Sequence, residues 1–372
     1  MKYLWVFLPF LILTVASCNQ TNESPDGNDE IWLGADLSYV NEMLDCGGMY
    51  RHHGEPVDPY VLFAEKGCEL VRVRLWHSPD WSGYSDFEDV KETIRRSKAE
   101  GMAVLLDFHY SDTWADPQHQ VIPAAWADIA SLEILGDSLY NYTWHTLLKL
   151  HNEGLDAKMV QIGNEVNIEI MQPEDQMITD SINWQRNIYL LNKGLAAVDD
   201  FNANHGTRIE KMIHIAQPEN AFWWFEQAFA NGIGHFEWIG LSYYPKWSSY
   251  PLNQIASALD SLITLFEKRI MIVETAYPYT LRNADPAGNI LGEDALVAGF
   301  PASPQGQLDY LLELRKNIIE GGGEGLIYWE PAWISTSCST PWGQGSHWEN
   351  AIFFDAFNQN EALPAFDFFT KN

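Results

Sequence analysis

Eight short apolar runs punctuate the chain, at residues 31–40, 70–76, 103–110, 159–166, 212–216, 238–244, 270–277 and 325–333. Several are almost continuous in Val, Ile, Leu and Met, the pattern of strands buried on both faces of a parallel sheet. Stretches with helical periodicity lie between them, at 87–100, 137–153, 182–201, 252–266 and 305–320. In the first, Val90, Ile94 and Ala99 fall near one face and Gly101 stops the helix; the last is ended by Gly321, Gly322 and Gly323. Eight strand–helix units in this length predict an α/β fold, a single (β/α)8 TIM barrel over residues 31–372 with its active site at the C-terminal ends of the strands. An open doubly wound sheet is the competing arrangement, but no glycine-rich phosphate loop follows the first strand.

The chain ahead of the first run has a different character. Lys2, an apolar stretch over residues 3–15 and then Ala16-Ser17-Cys18 form a targeting segment, residues 1–17, that is too short for a dependable membrane span. Small residues directly before a cysteine resemble a bacterial lipobox, which makes Cys18 the lipidated first residue of the mature chain and residues 18–30, polar and rich in Asn, Asp, Glu and Ser, a flexible tether. The expectation is a secreted protein, lipid-anchored in a bacterial cell envelope, touching membrane only through that anchor; an ordinary signal peptide with a chance cysteine is the alternative. Cys46, Cys68 and Cys338 remain, enough for one disulfide and a free thiol, with the pairing left open.

Lys and Arg number 22 against 51 Asp and Glu, a formal net charge of -29. Such a field repels phosphate backbones and disfavours nucleic acid or a uronic substrate, leaving a neutral polysaccharide as the best-suited large ligand. The 16 Trp and 16 Tyr point the same way, since an indole face covers the apolar face of a pyranose, although a barrel core also consumes aromatics.

The ends of successive runs carry costly polar groups: Arg74 and Trp76 on the second, Asp107 and His109 on the third, Asn164 and Glu165 on the fourth, His214 on the fifth. Tyr243 and Tyr244 end the sixth, Glu274 the seventh, Trp329 and Glu330 the eighth. A buried strand can hold a carboxylate only at its mouth or in a pair, so Glu165 and Glu274 are expected to face one shared pocket. Two opposed carboxylates are what glycosidic cleavage needs, one protonated and one ionised. Arg74 is placed to hold Glu274 ionised, Tyr243 to donate a hydrogen bond to it, and Asn164 to reach a sugar hydroxyl. The competing reading is a structural ion-pair network at the barrel end.

Ordered strings along the chain resemble glycoside hydrolase family 53, the endo-β-1,4-galactanases. They are Gly34-Ala35-Asp36-Leu37-Ser38, Arg72-Val73-Arg74-Leu75-Trp76, the third-strand string from Leu106 to Pro117, Pro123-Ala124-Ala125-Trp126, Ile162-Gly163-Asn164-Glu165, Val273-Glu274-Thr275 and Tyr328-Trp329-Glu330-Pro331-Ala332-Trp333. The resemblance implies that Glu165 is the acid/base and Glu274 the nucleophile of a retaining double displacement, with carboxyl groups about 5–5.5 Å apart. It implies that Asp107, His109, Asn164, His214, Tyr243 and Trp329 line the cleavage site and that Trp126 and Trp333 are sugar platforms. The implied substrate is the β-1,4-galactan of pectic arabinogalactan, cut internally by what is expected to be a monomer. A related hydrolase acting on another neutral β-glycan (a mannanase or an exo-β-galactosidase) is the alternative, and a non-catalytic glycan-binding lipoprotein a more distant one.

Residues 283–289 present oxygens at alternate positions, Asn283, Asp285, the Ala287 carbonyl and Asn289, a spacing that suits calcium; a polar turn without an ion is the alternative. Some members of the resembled family hold calcium here, and Ser346 and Glu349 resemble the second half of that site. Asn283 stands where an Asp is usual, and Glu349 where a shorter acid is usual.

Overall fold

The computed structural model describes residues 1–2, 31–340 and 343–371. The targeting segment from residue 3 onward, Cys18 and the tether lie outside them. Met1–Glu30 and Ile31–Asn372 separate as two units, and the account below concerns the second.

Eight parallel strands among the described residues close a barrel: β1 (Trp32–Asp36), β2 (Leu70–Leu75), β3 (Ala103–Phe108), β4 (Met159–Ile162), β5 (Glu210–Ala216), β6 (Trp238–Ser242), β7 (Arg269–Glu274) and β8 (Gly325–Tyr328). Each pairs with its sequence neighbours, and β8 closes the ring on β1 with Trp32 beside Gly325 and Ala35 beside Tyr328. Strands alternate their side chains across the sheet, which explains runs apolar throughout. One set, including Leu70, Leu105, Met159, Met212, Trp238 and Met271, fills the barrel interior as its own cluster. The other set, such as Val71, Val73, Leu106, Ile213 and Ile239, belongs to the layer between barrel and helices.

The same period of two converts interior into site. Two residues beyond Leu70 is Arg72, beyond Leu105 is Asp107, beyond Met159 is Gln161, and beyond Met212 is His214, all buried. Between β6 and β7 the pairing slips at Leu241 and Ser242, so that Ser242 stands opposite Glu274 instead of Val273. A bulge of this kind re-aims a side chain at a barrel rim, and here it turns Glu274 inward one residue early. Except for β5, which begins two residues ahead of its run, the strands are shorter than the apolar runs because regular pairing stops where this polar rim begins.

The helices are α1 (Val40–Asp45), α2 (Pro59–Glu65), α3 (Phe87–Ala99), α4 (Leu132–Asn152), α5 (Trp184–His205), α6 (Pro218–Ala230), α7 (Ile255–Phe266) and α8 (Pro304–Glu320). On α3 the inward face is Val90, Thr93, Ile94 and Ser97, while Ala99, expected on that face, is exposed. Helix α4 starts five residues before the expected boundary, because Ser131 accepts from the Ile134 amide and caps an additional turn. The aromatic-rich α6 opens with Pro218 after Gln217, whose φ is +65°. The disulfide joins Cys46, just past α1, to Cys338 in the loop after β8, with Cα atoms 5.7 Å apart; Cys68 is a buried free thiol. Two loops of the barrel's polar rim are thereby tied to each other.

Candidate active site

Arg72 stands at the centre of the barrel mouth, 1% exposed. Its Nη1 donates to Asp36 Oδ2 at 2.8 Å and contacts Glu274 Oε1 at 2.9 Å. Its Nη2 donates to Asp107 Oδ2 at 2.8 Å and to Asn164 Oδ1 at 2.6 Å, and its Nε donates to Gln161 Oε1 at 3.3 Å. Of the five N–H groups of the guanidinium, four donate hydrogen bonds here, and Glu274 is held beside it as an ion pair. Arg74, expected on Glu274, instead meets Glu330 at 3.0 Å and Ser85, and its guanidinium lies 4.2 Å from the ring of Trp114 and 4.6 Å from that of Tyr39. Both arginines point inward, two residues apart, but Arg72 is the one level with Glu274. Arg74 supports the aromatic floor.

Tyr243 is likewise not the partner of Glu274. Alternation turns it out of the cleft, where its hydroxyl donates to the Tyr250 carbonyl at 3.1 Å, and brings Tyr244 in, whose hydroxyl donates to Glu274 Oε2 at 3.2 Å. Trp126 is also displaced from its expected place: its indole is buried edge-on against His77, with centroids 4.5 Å apart, and Tyr142. It is absent from the cleft wall, so it is no sugar platform. Trp329 and Trp333 do line the cleft, joined by Trp114, Trp247 and Trp348 and by Tyr39, which stacks on Trp333 at 4.0 Å. The cleft encloses about 900 Å³, and Asn164, Glu165 and Glu274 lie on its lining.

Glu165 follows β4 in a tight turn. Gly163 has φ of +84°, where a Cβ would come within 2.5 Å of Val166, and Glu165 itself has φ of +43°. A non-glycine residue in that region is strained and needs surrounding structure to hold it. Gln120 donates to the carbonyls of Asn164 and Glu165, and the Glu165 amide donates to His214 Nδ1 at 3.3 Å. Ser242 donates to Glu165 Oε1 at 2.5 Å. One carboxylate oxygen of Glu165 lies within 4.8 Å of one from Glu274.

Removal from water raises the pKa of both glutamates, and their partners set them apart. Burial, followed by the negative charge of Glu274, holds Glu165 well above the usual carboxylate range, with only the Ser242 hydroxyl and the more distant Arg72 opposing. Burial raises Glu274 too, to about 7; Arg72 opposes the rise, Asp36 and Asp107 add to it, and the Tyr244 hydroxyl also lowers it. A single proton shared by the pair therefore resides on Glu165. Burial would raise Asp107, yet Arg72 and His109 take it below its ordinary value. His214 is held well below the usual imidazole range by burial and by Arg72, so it is neutral. His109, lowered by burial, accepts the Ala115 amide on Nδ1 at 3.1 Å and directs Nε2 at Asp107.

The expected metal ligands come together in two facing loops. Asn283 Oδ1 accepts from Asn289 Nδ2 at 2.6 Å, and Asp285 accepts from the amides of Ala287 and Ser346 and from the Ser335 hydroxyl. Glu349 accepts from the Ala284 amide. The Ser346 hydroxyl is turned away, donating to the Trp333 carbonyl and accepting from the Trp348 amide. Asn289 Oδ1 and Glu349 Oε2 are buried without a hydrogen-bond partner among the described residues. Two orphaned oxygens, one from each loop, fit a hard cation.

Sequence reasoning missed Arg72, Ser242, Tyr244, Trp114, Trp247 and Trp348. Counting parity from the apolar interior residues finds the first three; the tryptophans sit on loops, where no period applies.

A family model described as glycosyl hydrolase family 53 matches residues 32–369. An arabinogalactan endo-β-1,4-galactanase of Cellvibrio japonicus is 56% identical over 342 residues, covering 92% of this chain and 91% of its own. An endo-β-1,4-galactanase of Bacillus subtilis is 33% identical, covering 84% of this chain and 72% of its own. The solved GH53 catalytic domain of Ignisphaera aggregans superposes with a TM-score of 0.83 at 31% identity, covering 93% of this chain and 97% of that one.

The raised Glu165 predicts a pH-dependent stability difference. An unfolded Glu ionises near pH 4.3 while the folded one stays protonated, so stability is lost as pH rises from about 4 through the folded value. Glu165→Gln removes that loss. Its melting temperature should exceed that of the parent chain by a margin that widens from about pH 4 to about pH 8. A margin independent of pH contradicts the protonation argument.

Proposed function

Because the chain belongs to glycosyl hydrolase family 53, we propose that it cuts β-1,4-galactan, the backbone of pectic arabinogalactan, internally and with retention of anomeric configuration. The observation that carries this reading is the pair of glutamates at the cleft floor, with oxygens within 4.8 Å and unlike partners. That separation favours a direct displacement by one carboxylate; an inverting pair is held about 6.5–9.5 Å apart to admit water between. The five tryptophans lining the cleft suit the apolar faces of consecutive neutral sugars.

In the first step Glu165, protonated, gives its proton to the glycosidic oxygen while Glu274 attacks the anomeric carbon. Arg72 keeps Glu274 ionised, and Asp36 and Asp107 share the guanidinium, so that Glu274 is not overstabilised as a spectator. Once Glu274 is esterified its negative charge is gone, and with it the second-largest cause of the raised Glu165 pKa. Glu165 has just lost its proton and is now a stable base. It takes a proton from the incoming water, whose oxygen bonds to the anomeric carbon on the face the leaving group vacated while the bond to Glu274 breaks. The same electrostatic coupling thus serves both half-reactions.

Two further readings accompany this one. Calcium held by Asn289 and Glu349, with Asp285, Asn283 and the Ala287 carbonyl at hand, supplies charge that ties the loops after β7 and β8; the orphaned oxygens of Asn289 and Glu349 support it. The Ala16-Ser17-Cys18 string supports lipidation at Cys18, and with it a monomer tethered to the bacterial envelope. A mass for the mature amino terminus without diacylglycerol excludes the anchor.

Glu165→Ala and Glu274→Ala should each lower kcat on linear β-1,4-galactan by a factor of at least about 10², and the parent chain should release oligosaccharides of several lengths early. Undiminished turnover in either variant, or galactose as the sole early product, rejects the reading; cleavage of mannan in place of galactan rejects the substrate alone. Millimolar calcium should raise the melting temperature of chelator-treated protein, and Glu349→Ala should abolish the increase. No response to calcium rules out that site.

A further inference from the structure

Ser242 and His214 are buried completely, on neighbouring strands β6 and β5. Together they form a chain ending on the acid: His214 Nε2 lies 2.9 Å from Ser242 Oγ, which lies 2.5 Å from Glu165 Oε1. Ser242 has one proton and donates it either to Glu165 or to His214. The direction depends on which imidazole nitrogen carries hydrogen.

The surroundings settle that question. Asn164 Nδ2 donates to the Ala115 carbonyl at 2.7 Å, which turns Asn164 Oδ1 toward His214 Nδ1 at 2.9 Å. That oxygen already accepts a charge-assisted hydrogen bond from Arg72 at 2.6 Å. Nδ1 itself receives the Glu165 amide at 3.3 Å, a group that can only donate, and Gln161 Nε2 lies 3.0 Å away with one of its two hydrogens on Asp107 at 2.7 Å and the other free for Nδ1. Nδ1 is therefore the acceptor, and the hydrogen of the neutral imidazole is on Nε2, pointing at Ser242. The Ser242 hydroxyl must then point at Glu165 Oε1. The carbonyl oxygen of a protonated carboxyl is its stronger acceptor, so a hydrogen bond donated to Oε1 places the carbonyl there and the carboxyl proton of Glu165 on Oε2.

We propose that Ser242, oriented by His214, is a positioning residue that confines the acid proton of Glu165 to Oε2, the oxygen left free for the glycosidic oxygen. The proposal rests on Glu165 being the acid/base. No bond beyond those of the two displacement steps is made or broken: Oε2 gives its proton to the leaving oxygen and regains one from water, while Ser242 and His214 keep theirs. The wiring is the same for neutral and ionised Glu165, because Oε1 accepts in both. The other groups facing Glu165 are Glu274 from β7, Arg72 from β2 and Asp116 after β3, with the Tyr244 hydroxyl alongside; Arg72, Asp107 and His109 face His214. None of these hydrogen-bonds Oε1 among the described residues, so the placement of the proton falls to Ser242.

The test compares the parent chain, Ser242→Ala, Ser242→Thr and Glu165→Ala on galactan and on 2,4-dinitrophenyl β-galactobioside, whose leaving group departs unprotonated. Ser242→Ala should lose about 10²-fold in kcat/KM on galactan, at least about tenfold more than in the first-step burst on the aryl substrate. The alkaline limb of its galactan profile should move to higher pH, since the lost hydroxyl stabilised ionised Glu165. Ser242→Thr, which keeps a hydroxyl, should recover most of both. Equal losses on the two substrates with an unmoved alkaline limb overturn the proposal. Glu165→Ala with undiminished galactan activity overturns instead the assignment of Glu165 on which the proposal rests. Should Ser242→Ala fail to fold, nitrogen NMR of the His214 ring in the parent chain decides: hydrogen on Nε2 supports the wiring, and hydrogen on Nδ1 overturns it.

Discussion

The site depends on a buried cation that is more than neutralised by its neighbours. Arg72 meets Asp36 from β1, Asp107 from β3 and Glu274 from β7, and the amides of Gln161 and Asn164 from β4 and its end. Burying these charges costs several kcal/mol each before pairing, and replacing such a cluster with apolar side chains of equal volume is often stabilising. The cluster is therefore better understood as a device for position than for stability. A planar fork with five fixed donors sets the depth and rotation of groups from four strand ends at once. Without it three carboxylates face one another unpaired in the barrel, and they take up protons or drift apart.

That arrangement explains how two chemically identical residues come to opposite duties. Glu274 touches the cation, and Glu165 touches a hydroxyl. Each feels the other's charge, so whichever ionises first raises its partner, and Arg72 decides that Glu274 ionises first. The difference needs no separate fine adjustment at Glu165; it follows from which carboxylate the Arg72 guanidinium reaches across the barrel mouth. It also reverses when Glu274 loses its charge, which is the change the second displacement requires. The surface has little part in this. Its formal charge of -29 disfavours anionic polymers, but inside the cleft the contact is with indole faces and fixed dipoles, to which a neutral glycan is suited.

The barrel was legible because strands buried on both faces leave long apolar runs, and the strand ends because polar residues are costly there. Glu165 and Glu274 stood out for that reason. Less legible was which of two nearby candidates at a strand end reaches the glutamates. Arg72 against Arg74 and Tyr244 against Tyr243 are questions of parity and height, and at β7 a bulge alters the count, so no reading of hydrophobicity alone places Glu274 opposite Ser242. Ser242 falls at the inward parity from Trp238, but a small polar residue there names no chemistry by itself. Trp126 failed for the opposite reason: an aromatic residue reads alike whether it stacks on sugar or on His77 and Tyr142. Helix α6 went unmarked because its aromatics crowd both faces, and the Cys46–Cys338 pairing because 292 residues separate the partners.

The central claim is that Glu274 becomes covalently bonded to the sugar while Glu165 supplies and recovers the proton. Incubation with a 2-deoxy-2-fluoro-β-galactobiosyl fluoride slows the second displacement more than the first and lets the intermediate accumulate. Mass spectrometry of the digested protein should then find one added disaccharide, on the peptide that carries Glu274 and on that residue. A label on Glu165, or no label with products of inverted configuration, contradicts the account.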